Sequence, residues 1–246
     1  MNVEDNEFLE RQTRFLLKKV NKAIRDYQLI DAGDRIAVAV SGGKDSLVLL
    51  HLLLAYRVTQ RQPIDLTVVH VVVEGLPESR DLACSLQAHC RDLDVEFVAR
   101  PLALNADESC PLSCQRCTWN RRKTLFMAAD ELGCNKVAMG HHADDVAQTV
   151  LLNLIYQARV QGIAPKRTFF AGQIAIIRPL VLVPEKRIAL FARRLGYPLG
   201  QVVCAGAQDS ERAYVAALLR QIERKAPRVK ANLRRAAEAI GSASAD

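Results

Sequence analysis

The sequence predicts an α/β fold: a doubly wound parallel sheet with additional helices at its N- and C-terminal ends. Three observations carry this. Short apolar runs rich in β-branched residues alternate with segments of helical period. A glycine-rich turn, Ser41 to Ser46, directly follows the first such run. The composition is globular, with 50% hydrophobic and 25% charged residues over 246 positions, enough chain to bury a full core without staples.

In order along the chain, residues 6–28 place Phe8, Leu9, Phe15, Leu16, Val20, Ile24 and Tyr27 at helical spacing. Arg11, Arg14, Lys18, Lys19, Lys22 and Arg25 mark the wet side. Asp31 to Asp34 is a turn, and Arg35 to Val40 reads as a buried parallel strand. Leu47 to Tyr56 is apolar on most faces and predicts a helix lying on a sheet. Ile64 to Val73 is a second strand, Asp81 to Asp92 a helix and Val95 to Ala99 a third strand. Residues 105–118 have no clear period. Asn120 to Leu132 is a helix closed by Gly133. Lys136 to Met139 is a fourth strand, Val146 to Tyr156 a helix and Ile174 to Ile177 a fifth strand. Pro184 to Leu195 is a helix opened by a proline. Ala213 to Lys225 and Val229 to Ile240 are basic helices, and Gly241 to Asp246 is a small, polar end expected to fray.

Several classes are excluded. No apolar run reaches the roughly 18 residues of a membrane helix. There is no repeat and no low-complexity linker. Aromatics are 5%, too few for a base-stacking sheet surface. Lys and Arg number 34 against 27 Asp and Glu, a net +7 that suits an anionic partner such as RNA. Met1 to Asp5 is acidic with no apolar stretch behind it, so no secretory signal is expected and the cytoplasm is the default. Seven cysteines, an odd number in a reducing compartment, argue for metal ligands or buried side chains rather than disulfides.

Two loops carry the chemistry, and both follow strands at the carboxyl edge, where doubly wound sheets bind ligands. In Ser41-Gly42-Gly43-Lys44-Asp45-Ser46 the glycines let backbone N–H groups approach an anion, and the helix that follows adds its positive end. Ser41 and Ser46 offer hydroxyls and Lys44 a charge; Asp45 suits Mg²⁺ or an N–H group. The spacing is not that of a Walker A loop. The alternative is an ordinary strand-to-helix turn with a serine cap. In Gly140-His141-His142-Ala143-Asp144-Asp145, two adjacent carboxylates can hold Mg²⁺, and the histidines can donate to phosphate or transfer a proton. The alternative is a helix start whose acids merely suit the macrodipole.

The first loop resembles the pyrophosphatase (PP-loop) signature of the ATP-pyrophosphatase superfamily, which has the adenine nucleotide alpha-hydrolase-like fold. Those enzymes cleave ATP between the α and β phosphates, adenylate an oxygen and release pyrophosphate. The second loop is similar to a signature of the tRNA-modifying branch. On this resemblance the chain has a helical extension at 1–30, an ATP-binding α/β domain at 31–205 and a basic helical segment at 206–246. Val40 to Ser46 with Gly140 and His141 would bind ATP; Lys44, Asp45, Asp144 and Asp145 would be catalytic.

Cys110, Cys114 and Cys117 lie close together and Cys204 stands apart. Cys84, Cys90 and Cys134 read as small buried hydrophobes. The C-x₂-C of Cys114 and Cys117 suits an iron–sulfur cluster or zinc. Followed by Arg121-Arg122-Lys123, it resembles the TtcA-like tRNA 2-thiocytidine sulfurtransferase family. There the pair and one distant cysteine, matched here by Cys204, hold a [4Fe-4S] cluster whose open iron carries sulfur. Cys110 competes with Cys204 as third ligand; a radical-SAM site on Cys110, Cys114 and Cys117 and a four-cysteine structural zinc are the other readings.

The resemblance spans residues 8–240 and includes Ile177-Arg178-Pro179-Leu180. It departs in three places. The family usually shows a second C-x₂-C where this chain has only Cys204-Ala205-Gly206-Ala207-Gln208. The segment between the third strand and the Cys pair has diverged. The third departure is at the second strand. The family's second strand usually ends near an Asp, whereas His70 to Val73 holds none. Either an acid has moved, Glu74 being near, or adenosine is gripped differently. The implied reaction uses ATP and Mg²⁺ to adenylate the C2 carbonyl oxygen of an anticodon-loop cytidine and replaces that oxygen, lost with AMP, by sulfur. Implied partners are tRNA and a sulfur donor such as a cysteine desulfurase; no membrane is involved, and a homodimer is compatible. The basic helix at 6–28, Arg121 to Lys123 and the stretch from Arg212 to Arg235 are candidate RNA contacts. Two alternatives remain: a cluster-free tRNA ligase of the lysidine-synthetase kind, and an enzyme acting on another thiolated nucleoside or a small metabolite.

Overall fold

The computed structural model describes residues 3–60, 63–73, 77–105, 108, 112–196 and 211–243. Among the described residues, eight α-helices and six strands run in the order α1 (Val3–Asp26), β1 (Arg35–Ala39), α2 (Lys44–Gln60), β2 (Asp65–Val72), α3 (Pro77–Asp92), β3 (Glu96–Pro101) and α4 (Cys114–Glu131). Then follow β4 (Lys136–Ala138), α5 (Ala143–Gln157), β5 (Lys166–Phe169), β6 (Ile174–Ile177), α6 (Glu185–Leu195), α7 (Glu211–Lys225) and α8 (Val229–Ala243).

The strands form one sheet in the order β3-β2-β1-β4-β6-β5. The chain steps outward from β1 through β2 to β3, then returns through α4 to lay β4 on the other side of β1. Strand order therefore reverses between β1 and β4, both parallel to their neighbours. Such a switch point opens a crevice beyond the carboxyl ends of the two strands. The loops at 40–46 and 140–145 leave from those two ends.

The central strands are short and apolar because both faces are covered. Ile36 and Val38 of β1 and Leu66 and Val68 of β2 join Leu47, Val48, Leu50 and Leu53 of α2 in the larger core. Ala37, Val69 and Val137 face the other way, against Leu125, Ala128 and Ala129 of α4. α1 packs on α2 and α6, burying Leu16, Val20 and Ile24 in the larger core. Phe8 and Phe15 lie further out, under the guanidinium groups of Arg194 and Arg187. α7 and α8 pack on α5.

Three expectations need correction. The sheet has a sixth, edge strand, β5, which pairs antiparallel to β6. Its sequence, Lys166-Arg167-Thr168-Phe169, is mostly polar. An edge strand needs only one covered flank and is often charged, so no apolar run marks it. Second, α4 begins at Cys114 rather than at Asn120: Ser113 caps it, its hydroxyl accepting from the Arg116 N–H at 3.3 Å. The first turn is polar, which hid it from hydrophobic periodicity. Third, Cys84 is exposed, on the solvent face of α3, while Cys90 and Cys134 are buried. Burial pushes the Cys90 thiol up to about 11.

Candidate active site

β1 ends at Ala39 and the chain turns through Val40–Gly43 into α2. Val40 still holds the sheet, its N–H donating to the Val69 carbonyl at 3.0 Å. Gly42 adopts φ 83°, a left-handed backbone that favours glycine. The Ser46 hydroxyl ties the loop from within, accepting from the Ser41 N–H at 3.2 Å and donating to the Gly43 carbonyl at 2.9 Å. The Gly43 N–H reaches the Ser41 hydroxyl at 3.4 Å. These bonds preshape a cradle at the positive end of α2.

Gly140 brings the second loop against the first. A Cβ there would lie 3.0 Å from the Asp45 carbonyl carbon and 3.0 Å from the Ser46 nitrogen. Backbone thus meets backbone, and only glycine leaves the room.

Beyond Gly140, His142 caps α5 with a reciprocal pair. Its Nδ1 accepts from the Asp145 N–H at 3.4 Å, and Asp145 Oδ2 accepts from the His142 N–H at 2.9 Å. The other Asp145 oxygen meets Arg212 Nη2 at 3.2 Å. Asp144 Oδ2 accepts from the Glu185 N–H at 2.7 Å, and Oδ1 meets Lys230 Nζ at 2.5 Å. Burial works against the Asp144 charge, but the Glu185 amide and Lys230 outweigh it and hold the carboxyl below its usual range. Lys44 Nζ donates to Glu185 Oε1 at 3.0 Å and to Asp45 Oδ2 at 3.1 Å. Its burial is likewise outweighed, by Glu185 and Asp45, and its pKa is raised.

Asp45 Oδ1 differs from these. It is buried with no hydrogen-bond partner, 3.7 Å from His142 Nε2. A carboxylate oxygen held this way fits a hard cation. Of the three acids expected to position Mg²⁺, Asp45 alone keeps an uncommitted oxygen. The capping and ion pairs of Asp144 and Asp145 occupy both oxygens of each.

His141 accepts at Nδ1 from buried Arg178 Nε at 3.3 Å. Burial, reinforced by the Arg178 charge, pulls its pKa down to about 4. The imidazole is neutral near pH 7, so its proton sits on Nε2.

A narrower cleft of about 280 Å³ opens beside the loop, lined among others by Val40, Ser41, His70, Leu82, Arg121 and Leu125. Arg121 stands one helical turn after Cys117, about 6 Å along the axis of α4. The helix that carries the C-x₂-C therefore runs past this cleft near its start, at the carboxyl edge of the sheet. Its crossover from β3 to β4 requires this, because every helix after a parallel strand leaves from the carboxyl edge. Cys117 is half-buried in the first turn, with position 114 on the same helical face. Cys110 and Cys204 lie outside the described residues. Among the described residues no three metal-ligating side chains converge.

A PP-loop domain model matches residues 12–200. The chain is 37% identical to a tRNA-cytidine(32) 2-sulfurtransferase of Anaeromyxobacter dehalogenans strain 2CP-C, covering 92% of this chain and 79% of that protein. It is also 37% identical to the protein of that name from Geobacter metallireducens, over 92% and 90%. This chain belongs to the PP-loop family, in the branch of these sulfurtransferases. Among solved structures, U34-tRNA thiolase NcsA from Methanococcus maripaludis, determined with its [4Fe-4S] cluster, superposes with a TM-score of 0.79. It is 26% identical, over 94% of this chain and 80% of that one. NMN synthetase from Francisella tularensis shares the fold alone, at a TM-score of 0.51 and 12% identity over 92% and 93%.

Within this PP-loop protein the structure brings Ser41–Ser46, Gly140, Asp144 and Asp145 to one crevice. Sequence reasoning gives Glu185 no role and reads Arg212 and Lys230 as RNA contacts; in the structure the three partner Lys44, Asp145 and Asp144. They come from helices well downstream of the loops they touch, with no local spacing to announce them. His70 did carry a signal, as the one titratable residue inside an otherwise apolar stretch of β2.

Proposed function

We propose that this protein is an ATP-dependent tRNA sulfurtransferase that adenylates the C2 carbonyl oxygen of a cytidine in the anticodon loop, with release of pyrophosphate, and then replaces that oxygen with sulfur as AMP leaves. The observation that carries the reading is the cleft shared by Ser41 and Arg121, which joins the nucleotide cradle to the helix bearing Cys114 and Cys117. The N–H groups of Gly42 to Ser46 and the hydroxyl of Ser41 bind the ATP phosphates at the positive end of α2. Lys44 leaves Glu185 to neutralise charge that develops as pyrophosphate departs. Asp45 Oδ1 supplies an oxygen to Mg²⁺. Neutral His141 donates from Nε2, its Nδ1 fixed by Arg178. Asp144 and Asp145 set the entry of α5 and hold the basic helices beside the site.

The donor set on α4 suits an iron–sulfur cluster: two cysteines three positions apart in the first helical turn, four residues before the Arg121 that lines the cleft, with Cys204 as third ligand. When bound, the cluster supplies a sulfur at the iron left without a protein ligand. The segment from 211 to 243 holds eight Lys and Arg against three Glu, so five of the chain's seven net positive charges lie there. This segment and α1 present the tRNA-binding face. A helical extension at 1–30, a catalytic domain at 31–205 and a basic segment at 206–246 follow from this division of labour. A cysteine desulfurase or similar donor reloads the sulfur, and the protein works in the cytoplasm; no described helix is long and apolar enough to cross a membrane.

Two measurements test the reading. Anaerobically purified protein should contain about four iron and four sulfide per chain, the content of such a cluster. Cys117→Ser and Cys204→Ser should lose the visible absorption, and Cys110→Ser should keep it. Mass spectrometry of tRNA nucleosides from a strain lacking the protein should show loss of 2-thiocytidine. Protein free of iron with thiolation intact would refute the cluster; unchanged thiolated nucleosides would refute the substrate.

A further inference from the structure

Two residues of the narrow cleft beside Ser41, His70 and Arg121, carry buried polar atoms that the phosphate cradle does not use. His70, at the carboxyl half of β2, is 3% exposed. Its Nδ1 lies 2.7 Å from the Val40 carbonyl oxygen, which can only accept. The proton therefore sits on Nδ1 and, in the neutral ring, Nε2 carries a lone pair. Burial, with the nearby charge of Arg121, holds the ring below the ordinary histidine pKa. Nε2 is sealed from water and has no partner. Arg121 Nε, from the facing helix, is also buried without a partner. An acceptor that has lost water and gained nothing is costly, and the residue that carries it borders a cleft whose other walls include Val69, Leu82 and Leu125. Those apolar side chains suit the faces of a flat ring. At about 280 Å³ the cleft accommodates one heterocycle rather than a whole nucleotide. Its Ser41 edge opens toward the phosphate cradle.

We propose that His70 selects the base of the bound nucleotide, its Nε2 accepting a hydrogen bond from the 6-amino group of a purine. This rests on the ATP-binding role given to the Ser41–Ser46 loop. It supplies the contact for which the strand has no acid: a tautomer-locked imidazole does as a neutral acceptor what a carboxylate would do with charge. The lock comes from the first strand, since Val40 also begins the phosphate loop. Base and phosphate recognition are thereby joined through one residue.

The test compares ATP with purine riboside 5′-triphosphate, which differs only in lacking the 6-amino group, as ligands of the full-length protein measured by calorimetry. Wild type should prefer ATP by about tenfold or more, the effect of leaving a buried acceptor unpaired. His70→Leu should weaken both ligands, because the hydrogen bond to Val40 goes, and bring the two affinities within about twofold of each other. A merely structural histidine would weaken both and leave the preference intact. Equal binding of the two by wild type, or an undiminished preference in His70→Leu, overturns the inference while ATP binding still stands. Failure of wild type to bind either nucleotide overturns the ATP site and this inference with it.

Discussion

Replacing Gly140 with alanine tests whether the two loops form one site. The added Cβ would lie 3.0 Å from the Asp45 carbonyl carbon, 3.0 Å from the Ser46 nitrogen and 3.2 Å from the Asp45 oxygen. All three are backbone atoms in the first turn of α2, so no flexible side chain can move aside. The loops must part by several tenths of an ångström. Overpacking of this kind costs about 1–3 kcal/mol. For a domain of this size that lowers the melting temperature by roughly 2–12 °C. The displaced segment is also the phosphate cradle, so ATP affinity should fall about tenfold or more, comparable to removing one charge-assisted hydrogen bond. The assay pairs thermal unfolding of the free protein with ATP titration. A variant that melts like wild type and binds ATP within twofold would show that the loops are not pressed together, and the two-loop site would have to be abandoned.

Other perturbations separate the parts. Lys136, buried at the opposite edge of the sheet, pairs with Asp34 and with Asp31 at 2.9 Å. Lys136→Met leaves buried Asp34 without a cation, held only by the Asn135 amide and the Asp31 N–H, and should cost about 3–5 kcal/mol in denaturant unfolding, with ATP affinity of the folded protein unchanged; a large drop in affinity would contradict that separation. His141 has its folded pKa depressed from 6.5 to about 4. The unfolded chain therefore takes up this proton first, and the stability present above about pH 6.5 is lost as pH falls toward 4, by roughly 3 kcal/mol at most. His141→Gln should flatten that part of the stability profile, and an unchanged slope would show the histidine to be accessible. Arg220→Glu with Arg224→Glu should weaken tRNA binding across all sequences and make it less sensitive to salt, the slope of log K against log salt falling by about 0.7 for each phosphate no longer neutralised; an unaltered slope would move the RNA face elsewhere.

The sheet's central strands were legible because burial on both faces leaves a mark that needs no partner to read: Ile36 to Val40, Ile174 to Ile177 and most of Ile64 to Val73 are apolar at successive positions, with no alternation. The glycine loop was legible for a similar reason. Gly42 at φ 83° is a demand of the local backbone, and the hydrogen bonds of Ser41 and Ser46 span no more than five positions. The polar edge strand β5 and the polar first turn of α4 left no such mark, because what defines them is a neighbour or a cap rather than a buried stripe.

Local chemistry and local periodicity thus settled which residues would sit at the carboxyl edge of the sheet and what anion they would welcome. Folding decided which charges answer one another there. Lys44 with Glu185, Asp144 with Lys230 and Asp145 with Arg212 join elements far apart in the chain, and a sequence states a charge without stating its distance from another. The same holds for His70. Its identity was plain, but its tautomer, and so its use, depends on the Val40 carbonyl that the pairing of β1 with β2 sets beside it.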